Sequence, residues 1–438
     1  MTMLSKDEAQ ALLKKVIALS KAETCEANLN GNTNGNIRTA RNSVSTSGVQ
    51  EDLQLVVQSS YGQRSGTTTI NELDDASLEK AVRRSEELAK LAPENPEFMP
   101  PLEPQQYLDA PGWVDATAKI TPEFRAKGAA DSINASKAKK LVAAGFLQDF
   151  AGFQAMLNSK GLFAYYPSTN VNFTVTVRSE DGTGSGYAAA DANDVAEMDT
   201  AKTSGVAIDK ALFSMGAKAI EPGKYTVILE PAAVAGLLGP LGWGGMSAKE
   251  TDEGRTFLAG KVGKKLVSER VVLESDPFHP GLVGRPWFAG GIPNRKVTWI
   301  DGGAFVNLSY DRFTAKKHGV EPTPDPDYLV MRGGTDTIDG LIAGTERGIL
   351  VTHFWYVRFV DPMTMLLTGM TRDGLFAIED GKVTGGIKNF RWNMSTVDML
   401  ANVQGMTAAE TTSDVEADPM VLPALKVADW NFTSPTTF

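Results

Sequence analysis

The chain has 438 residues, a length that exceeds a single hydrophobic core and favours two domains of roughly 200 residues each. Hydrophobic residues make up 42% of the chain and charged residues 22%, so it can bury a large core as ordinary globular proteins do. The formal net charge of -10 argues against nucleic acid as a partner, because phosphates require a concentrated basic face.

The start of the chain is charged from Lys6 onward and lacks the apolar run of a signal peptide. The longest apolar stretch, residues 227–246, contains Glu230 and Pro240 and is rich in glycine, so we expect no membrane span. The single cysteine, Cys25, excludes an internal disulfide framework and is expected to be a buried structural thiol. These features predict a cytoplasmic protein that does not bind membranes.

The opening of the chain has the periodicity of helices packed on a sheet. We predict a helix at residues 5–21, strands at residues 25–29, 36–46 and 53–60, and a second helix at residues 76–92. Ser5 and Glu8 are spaced as a capping box at the start of the first helix. The Gly/Asn-rich residues 30–35 are expected to be a turn between the first two strands. The pattern predicts an α+β, helix-on-sheet unit.

A proline-rich strap follows at residues 93–111, where six prolines favour an extended surface connector over regular structure. Beyond it we predict a helix at residues 121–143, strands at 145–157 and 171–178 joined by a turn at 158–161, and a helix at 194–215. Pro222 marks the expected boundary, so residues 1–220 are predicted to form an N-terminal α+β domain that includes the strap.

Residues 221–438 are predicted to form a β-rich C-terminal domain. Asp301-Gly302 and Asp380-Gly381 lie between apolar runs and indicate hairpins. Further strands are predicted at residues 225–230, 264–273, 348–360 and 363–370. So many strands favour a curved or barrel-like antiparallel sheet, because an open sheet would leave exposed edges. The low-complexity residues 407–418 are expected to be mobile.

The strand at residues 225–230 leads into an apolar segment of small residues, 231–246, where a metallopeptidase could place a zinc-binding His-Glu helix. No histidine precedes His279, so this segment has no imidazole with which to hold a metal. Convergence of His279, His318 and His353 on one metal stays open, since ligands need only meet in space. We favour a turn for His279, the end of a basic helix-like stretch for His318, and the core for His353.

The acidic group Glu250, Asp252 and Glu253 resembles a carboxylate pair for acid-base catalysis. Neither an apolar pocket nor a nucleophile is evident beside it, so a solvated loop is the favoured interpretation. The glycine-rich Gly182-Thr-Gly-Ser-Gly186 matches neither dinucleotide-binding nor Walker spacing and is interpreted as a turn.

Four blocks of sequence stand out in the second half of the chain. They are Gly254-Arg-Thr-Phe-Leu-Ala-Gly-Lys-Val-Gly263, Gly291-Ile-Pro-Asn-Arg-Lys-Val-Thr-Trp-Ile-Asp-Gly-Gly303, Tyr310-Asp-Arg-Phe-Thr-Ala-Lys-Lys-His-Gly319 and Leu375-Phe-Ala-Ile-Glu-Asp-Gly-Lys-Val383. Taken in order, they resemble the TldD/PmbA family, two-component peptidases once described as modulators of DNA gyrase. The resemblance covers most of the chain, including the opening helix-strand-strand-strand-helix pattern.

The resemblance implies that TldD-like members bind zinc through His-Glu-x-x-x-His and a later cysteine, whereas TldE/PmbA-like members lack these ligands. Counting back from Gly254 places the motif positions at about Gly239, Pro240 and Gly244, none of which can bind or activate a metal. Cys25 lies at the wrong end of the chain to be the later ligand. The resemblance therefore implies the non-catalytic branch, with no catalytic residue or metal site of its own and zinc only on a TldD-like partner.

As a partner, the resemblance implies a TldD-like subunit or a second copy of this chain in a dimer. The pair would cleave peptides or unfolded polypeptides, or mature precursor peptides. A stand-alone homodimeric peptide-binding or scaffold protein is the alternative. Gly242, Trp243 and Gly245 are candidates for contact with a peptide or the partner, because glycine permits close backbone approach. An equal alternative is that this glycine-rich segment lost the zinc motif and then changed in sequence without acquiring a binding role.

Overall fold

The computed structural model describes residues 3–414 and 417–436 of the chain. Its first half contains a sheet of six strands in the order β3-β2-β1-β4-β5-β6, with helices on one face. The elements are α1 (Lys6–Leu19), β1 (Thr24–Ala40), β2 (Ser43–Tyr61), β3 (Arg64–Ile70), α2 (Asp75–Leu91), α3 (Asp115–Ala118), α4 (Pro122–Ala138), β4 (Leu141–Asn158), β5 (Phe163–Ser179), β6 (Ser185–Ala192) and α5 (Thr200–Phe213).

Strict alternation of side chains gives this sheet two different faces. On one face the odd-numbered residues of β1, β4 and β5, such as Ile37 and Val175, are buried beneath α1, α2, α4 and α5. On the opposite face Thr174 and Thr176 of β5 are only partly buried. Cys25 belongs to the helix-covered face and is buried, as predicted for a structural thiol.

The turn predicted at residues 30–35 is wrong, because β1 continues through this segment. β1 pairs there with β2 on one side and β4 on the other, so both neighbours satisfy its backbone. Gly35 also has a packing role, since a Cβ at that position would overlap the guanidinium of Arg125. The chain reverses instead at Arg41 and Asn42, whose φ values of 50° and 59° are those of a tight hairpin turn.

The helices predicted at residues 5–21 and 76–92 are confirmed as α1 and α2, and Ser5 and Glu8 form the predicted capping box. The helix predicted at residues 121–143 is too long: it ends at Ala138. The residues beyond the helix begin β4, whose backbone pairs with its neighbours β1 and β5.

Strands β4 and β5 and the turn between them are confirmed. The turn predicted at residues 182–186 holds only in part, because Ser185 already begins β6, a strand that the sequence did not predict. The helix predicted at residues 194–215 begins only at Thr200 as α5, since a short 3-10 turn, Val195–Glu197, precedes it.

The strap at residues 93–111 contains no helix or strand, as predicted. It crosses the open face of the sheet at one end, where Tyr107 packs on Trp287 with ring centroids 5.7 Å apart. The Tyr107 hydroxyl donates to the carbonyl of Gly291 at 2.7 Å, and Lys249 pairs with Glu97 at 2.6 Å. The strap is therefore bonded to the second half of the chain rather than free.

The second half of the chain is built around a closed sheet. The elements are β7 (Gly223–Leu229), α6 (Pro231–Gly245), α7 (Ala248–Asp252), β8 (Leu273–Ser275), β9 (Trp287–Phe288), β10 (Ile292–Pro293), β11 (Val297–Asp301), β12 (Ala304–Phe305), α8 (Arg312–His318), β13 (Leu329–Met331), α9 (Ile338–Ala343), β14 (Arg347–Asp361), β15 (Leu366–Glu379), β16 (Lys382–Gly386), β17 (Phe390–Ser395), α10 (Thr396–Ala401), β18 (Val403–Met406), β19 (Glu410–Asp414), β20 (Ala417–Leu422) and β21 (Leu425–Pro435).

Strands β14, β7, β21, β17 and β15 pair in that order, and β15 pairs back to β14, so the ring is closed. β7 and β14 run parallel, while the other ring pairs are antiparallel. A second sheet has the order β12-β11-β8-β13-β20-β19. The predicted α+β class with a barrel-like C-terminal sheet is confirmed. The domain division at residues 220 and 221 stays a prediction.

The hairpins predicted at Asp301-Gly302 and Asp380-Gly381 are confirmed. The strand predicted at residues 264–273 is wrong: irregular backbone with one isolated bridge, Lys265 to Ala304, occupies nearly all of it, and β8 begins only at Leu273. Positive φ at Gly260 and Gly263 turns the chain just before this segment.

The mobile tail predicted at residues 407–418 is also corrected where the structure describes it, because β19 pairs with β20 there. Residues 415–416 lie outside the described residues. Within the two described ranges, no helix has the length and apolar character needed to cross a membrane.

The barrel encloses a cluster of aromatic rings that we expect to dominate its stability. Trp430 is fully buried and stacks on Phe354 with ring centroids 5.0 Å apart. Trp430→Ala should lower the free energy of unfolding by about 3–5 kcal/mol, because the lost ring leaves a cavity. Urea denaturation measures this change. Leu108→Ala, at a side chain 63% exposed, is the control and should change stability by less than about 0.5 kcal/mol.

Candidate functional site

Helix α6 occupies the segment where the sequence placed the degenerate zinc motif. It follows β7 directly, with Pro231 at its first turn and Glu230 before it. Glu230 pairs with Lys210 of α5 at 2.6 Å, which ties the start of the helix to the N-terminal half. The helix is apolar on all sides, and Leu237, Leu238 and Leu241 are fully buried, as expected for a helix inside a core.

The three motif positions lie in different surroundings along α6. Gly239 is partly exposed and lines a cleft of about 680 Å³. Pro240 is buried inside the helix, and Gly244 lies against the ring of Phe359, which a Cβ at Gly244 would meet at 2.7 Å. Of the three positions, Gly239 is the one that lines this cleft.

The neighbouring glycines are packed by other parts of the chain. A Cβ at Gly242 would meet the carbonyl oxygen of Pro326 at 3.0 Å, and a Cβ at Gly245 would meet the Phe257 ring at 2.7 Å. Close packing of α6 accounts for both glycines, so their contact with a peptide or partner stays a prediction. The side chain of Trp243 lies outside the described residues.

The residues present on α6 do not fit a zinc ion. Glycine and proline at the three motif positions offer no nitrogen, sulfur or carboxylate ligand. Across residues 3–414 and 417–436, no three His, Cys, Asp or Glu side chains are grouped so that they could hold a metal.

The cleft beside Gly239 is acidic. The sheet contributes Asp191 of β6 and the following turn contributes Asp194 and Glu197, while Asp327 and Asp418 come from the second half of the chain. No lysine or arginine is among the described residues that line it. We call this space the acidic cleft. Its charge suits a cationic ligand, such as the amino group of a peptide.

Burial shifts the pKa of two of these carboxyl groups. Burial raises the pKa of Asp191, assisted by the charge of Asp418 and opposed by hydrogen bonds from Asn170 and Asn172 at 2.8 and 3.1 Å. Burial also raises the pKa of Asp327, with further contributions from nearby carboxylates. Repulsion among carboxylates in a confined space is relieved when a cation binds, which favours such a ligand.

The structure separates the histidines. His279 lies in a loop, where its Nδ1 accepts from the backbone of Gly281 at 3.1 Å. His318 ends α8, and its Nε2 is 2.8 Å from the carboxylate of Asp252. Asp252 also pairs with Lys317, so part of the acidic group at residues 250–253 is a surface ion-pair network. That group lies mainly on the short helix α7 rather than on the predicted loop.

His353 is buried in the barrel wall, as predicted, but among carboxylates. Its Nδ1 is 3.1 Å from Asp414 and its Nε2 is 3.6 Å from Asp373, while its ring stacks on Tyr187 of β6 at 4.0 Å. Burial alone would lower the pKa of His353, but the two carboxylates outweigh it and raise the pKa to about 9. Asp373 also accepts from Arg178 at 3.0 Å.

Comparison with known proteins places this fold in a family. Three successive domains of the PmbA/TldA metallopeptidases match the chain: domain 1 at residues 25–89, the central domain at residues 117–221 and the C-terminal domain at residues 222–434. The chain belongs to the PmbA/TldD family. The resemblance found in the sequence is thereby confirmed.

Relatives of this PmbA/TldD family member are distant in sequence and close in structure. A metalloprotease from Methanothermobacter thermautotrophicus is 22% identical over 286 residues, which is 59% of this chain and 60% of the relative's length. TldE from Thermococcus kodakarensis superposes with a TM-score of 0.87 at 20% identity, over 96% of this chain and 99% of that one. A candidate modulator of DNA gyrase from Thermotoga maritima gives 0.86 at 17% identity, covering 97% and 100%. At these identities the solved structures show the fold alone.

Sequence reasoning missed most of the acidic cleft. Asp191, Asp327 and Asp418 come from separate strands and loops, and no local spacing connects them. Gly239 was predicted at the site from the family resemblance alone. The proximity of Asp373 and Asp414 to His353 also had no sequence signal, since β14, β15 and β19 meet only in the folded chain.

The buried imidazole predicts a pH dependence of stability. Because the folded pKa of His353 lies above its ordinary value of 6.5, its contribution is complete below pH 6.5 and is lost as the pH rises through about 9. The free energy of unfolding should therefore fall, relative to His353→Gln, by about 3 kcal/mol between these pH values. Urea denaturation across the pH range measures the difference. If the free energy of unfolding depended on pH in the same way for both proteins, His353 would not be paired with the two carboxylates as described.

Proposed function

We propose that this chain is a TldE/PmbA-like subunit that supports a zinc-bearing TldD-like partner without a metal site of its own. The observation that carries the proposal is the composition of α6, which presents Gly239 to the acidic cleft and places Pro240 and Gly244 at the other motif positions. In the TldD-like proteins that the sequence resembles, these positions hold the zinc ligands. The pair would cleave peptides or mature precursor peptides.

The acidic cleft gives this subunit a direct role in substrate binding. Five carboxyl groups from both halves of the chain surround a space of about 680 Å³, large enough for one or two amino-acid residues of a peptide. A free amino terminus or a lysine side chain would meet the carboxylates of Asp191 and Asp327. The subunit would thus orient a peptide that the partner cleaves. We propose that this takes place in the cytoplasm.

A stand-alone peptide-binding protein, acting as a homodimer, is the second candidate. The observation that favours it is that the acidic cleft already brings together carboxylates from both halves of this chain, such as Asp191 and Asp327. Peptide binding would then need no second subunit. The two candidates differ in whether the presence of a TldD-like protein produces cleavage.

Reconstitution separates the two functions. The chain alone, a TldD-like protein alone and the purified pair are each incubated with casein and with short peptides, with and without a chelator. We expect cleavage by the pair, loss of that cleavage in chelator, and less zinc than protein in this chain alone by plasma mass spectrometry, because α6 offers no ligand.

The control for reconstitution is a TldD-like partner whose motif histidines are replaced by alanine, which should not cleave in the pair. Stoichiometric zinc on this chain alone would contradict the proposal. A pair that forms no complex, while the chain still binds peptides, would favour the stand-alone alternative.

The acidic cleft can be tested by binding alone. Asp191→Asn combined with Asp327→Asn should weaken binding of a short peptide with a free amino terminus by about tenfold or more, because charge-assisted hydrogen bonds are lost. An N-acetylated peptide with a terminal amide should bind both proteins weakly. Calorimetry on the full chain measures the affinities. As a control, Asp109→Asn with Asp339→Asn removes the same charge at exposed positions and should leave the peptide affinity unchanged.

A further inference from the structure

A second cleft, of about 770 Å³, lies on the open face of the N-terminal sheet near the turn between β1 and β2. Its floor is formed by residues of one face: Arg38 of β1 is opposite Phe146 of β4, which is opposite Thr174 of β5. Its other wall is the barrel, which contributes Trp355 of β14 and Arg372 of β15. Both halves of the chain therefore build this space.

Four arginines line this cleft, which we call the arginine cleft: Arg38, Arg41, Arg178 and Arg372. They come from β1, the turn after it, β5 and β15. In the part of the chain that the structure describes, neither Arg38 nor Arg41 has a carboxylate partner within 4 Å, and the side chain of Arg178 is 46% exposed. Guanidinium groups from three strands and one turn thus line one space.

The charge of the cleft is not balanced by its own residues. The carboxylates that line it are Asp373 and Asp414, and both lie beside His353. Four guanidiniums and one protonated imidazole face two carboxylates, an excess of three positive charges. The chain as a whole carries a net charge of -10, so this local excess runs against the overall composition.

The guanidiniums are held in place by the fold. Asn42 bonds β4 through the backbone of Ala143 and Leu141 at 2.8 to 3.0 Å, which fixes the turn that carries Arg41. Arg372 stacks on the ring of Trp355 at 4.7 Å, and Arg38 lies over the ring of Phe146 at 5.6 Å. Stacking on a ring uses none of the N–H donors of a guanidinium. The Nε of Arg372 also lies 3.4 Å from the carboxylate of Asp373, whereas Arg38 keeps its donors available to a planar oxyanion among the described residues.

A buried polar group completes the site. His353 is 1% exposed and lines the arginine cleft, yet its Nε2 has no hydrogen-bond partner among the described residues. Asp373 at 3.6 Å is close enough for charge attraction and too far for a hydrogen bond. A buried donor without an acceptor is unfavourable, so an acceptor that enters the cleft would gain a further bond there.

From this convergence of guanidiniums and an unpartnered imidazole, we infer that the arginine cleft binds an oxyanion, and that the oxyanion is the terminal carboxylate of a peptide. Planar forks of arginine bind carboxylates and phosphates in the same way, so the chemistry by itself fits both groups. The assignment of the oxyanion to a peptide carboxylate rests on the proposed function. The existence of an oxyanion site does not depend on the proposed function.

The position of the acidic cleft supports the carboxylate. Asn170 lines the acidic cleft and Asn172 lines the arginine cleft, two residues apart on β5, and both donate to Asp191. The two clefts are therefore neighbours on one sheet face. A short peptide with its amino end among the carboxylates would reach the arginines with its carboxyl end, so its direction would be fixed.

Binding to the full chain without any partner tests the inference. By calorimetry, an N-acetylated short peptide with a free carboxyl terminus should bind about tenfold or more tightly than the same peptide with a terminal amide. Arg38→Gln with Arg41→Gln should remove that preference, and added salt should weaken it in the wild-type protein. Arg84→Gln with Arg270→Gln, at exposed sites elsewhere, removes the same charge and should keep the preference.

Inorganic phosphate in a second titration distinguishes the two sources of oxyanion. Phosphate that competes with the carboxylate peptide supports the shared site. Phosphate binding without any preference for the free carboxyl terminus supports the oxyanion site and overturns the peptide as its source. Equal affinity of acid and amide together with no phosphate binding overturns the inference. These titrations measure binding and not cleavage. A negative result would therefore contradict the oxyanion site, whereas the proposed subunit function is tested separately by proteolysis.

A second measurement covers the case in which the double arginine variant is destabilised. The imidazole resonances of His353, assigned with His353→Gln, should shift when the carboxylate peptide is added to the wild-type protein and stay unchanged with the amide. A shift of equal size with both peptides would contradict binding of the carboxylate beside this imidazole.

Discussion

One buried carboxylate, Asp373, bonds the N-terminal sheet to the barrel and restrains how the two halves of the chain meet. It lies at a bulge where the β14 and β15 register shifts, and its φ of 51° turns its side chain out of the regular pleat. From the sheet it accepts hydrogen bonds from Arg178 and Ser185, and on the barrel it lies beside His353. A buried carboxylate is stable only while it is paired, so the partners must stay together and the two halves of the chain keep one arrangement.

That arrangement leaves the open face of the sheet with charges that do not neutralise each other. Carboxylates gather around Asp191 and Asp327, while guanidiniums gather around Arg38 and Arg372. A fold selected only for stability would gain more by pairing these groups than by holding like charges together. Separated regions of opposite sign are typical of surfaces that bind and orient a ligand.

Local signals in the sequence predicted the elements whose structure is decided locally. The capping box of Ser5 and Glu8 begins α1, and the Asp-Gly pair at Asp380 makes its hairpin, because each depends on neighbours in sequence. Residues 30–35 have the composition of a turn, but β2 and β4 pair with them on both sides, and tertiary pairing outweighs composition. Residues 264–273 have an apolar content suited to a strand, yet no neighbouring strand accepts most of them.

The two clefts could not be predicted from local sequence signals, because they too depend on tertiary pairing. Their side chains come from strands and loops far apart in the chain, so no spacing pattern records that they meet. The family resemblance predicted that α6 matters, and Gly239 does line a cleft, but the charge of that cleft comes from elements that no motif marks. His353 was predicted to be a buried core residue and is one. Its neighbour Asp373 lies at the bulge between β14 and β15, and its neighbour Asp414 comes from β19, so only the folded strands reveal either contact.

The order in which the barrel strands pair has a consequence for how the protein is made. β7 lies between β14 and β21, so the first strand of the ring must wait for two strands that are translated much later. While the ribosome is still adding residues before Leu425, both β7 and β17 lack their neighbour β21 and keep open edges that other nascent chains can pair with. The barrel can therefore close only after β21 has been synthesised, and this long-range pairing is expected to make its closure slow.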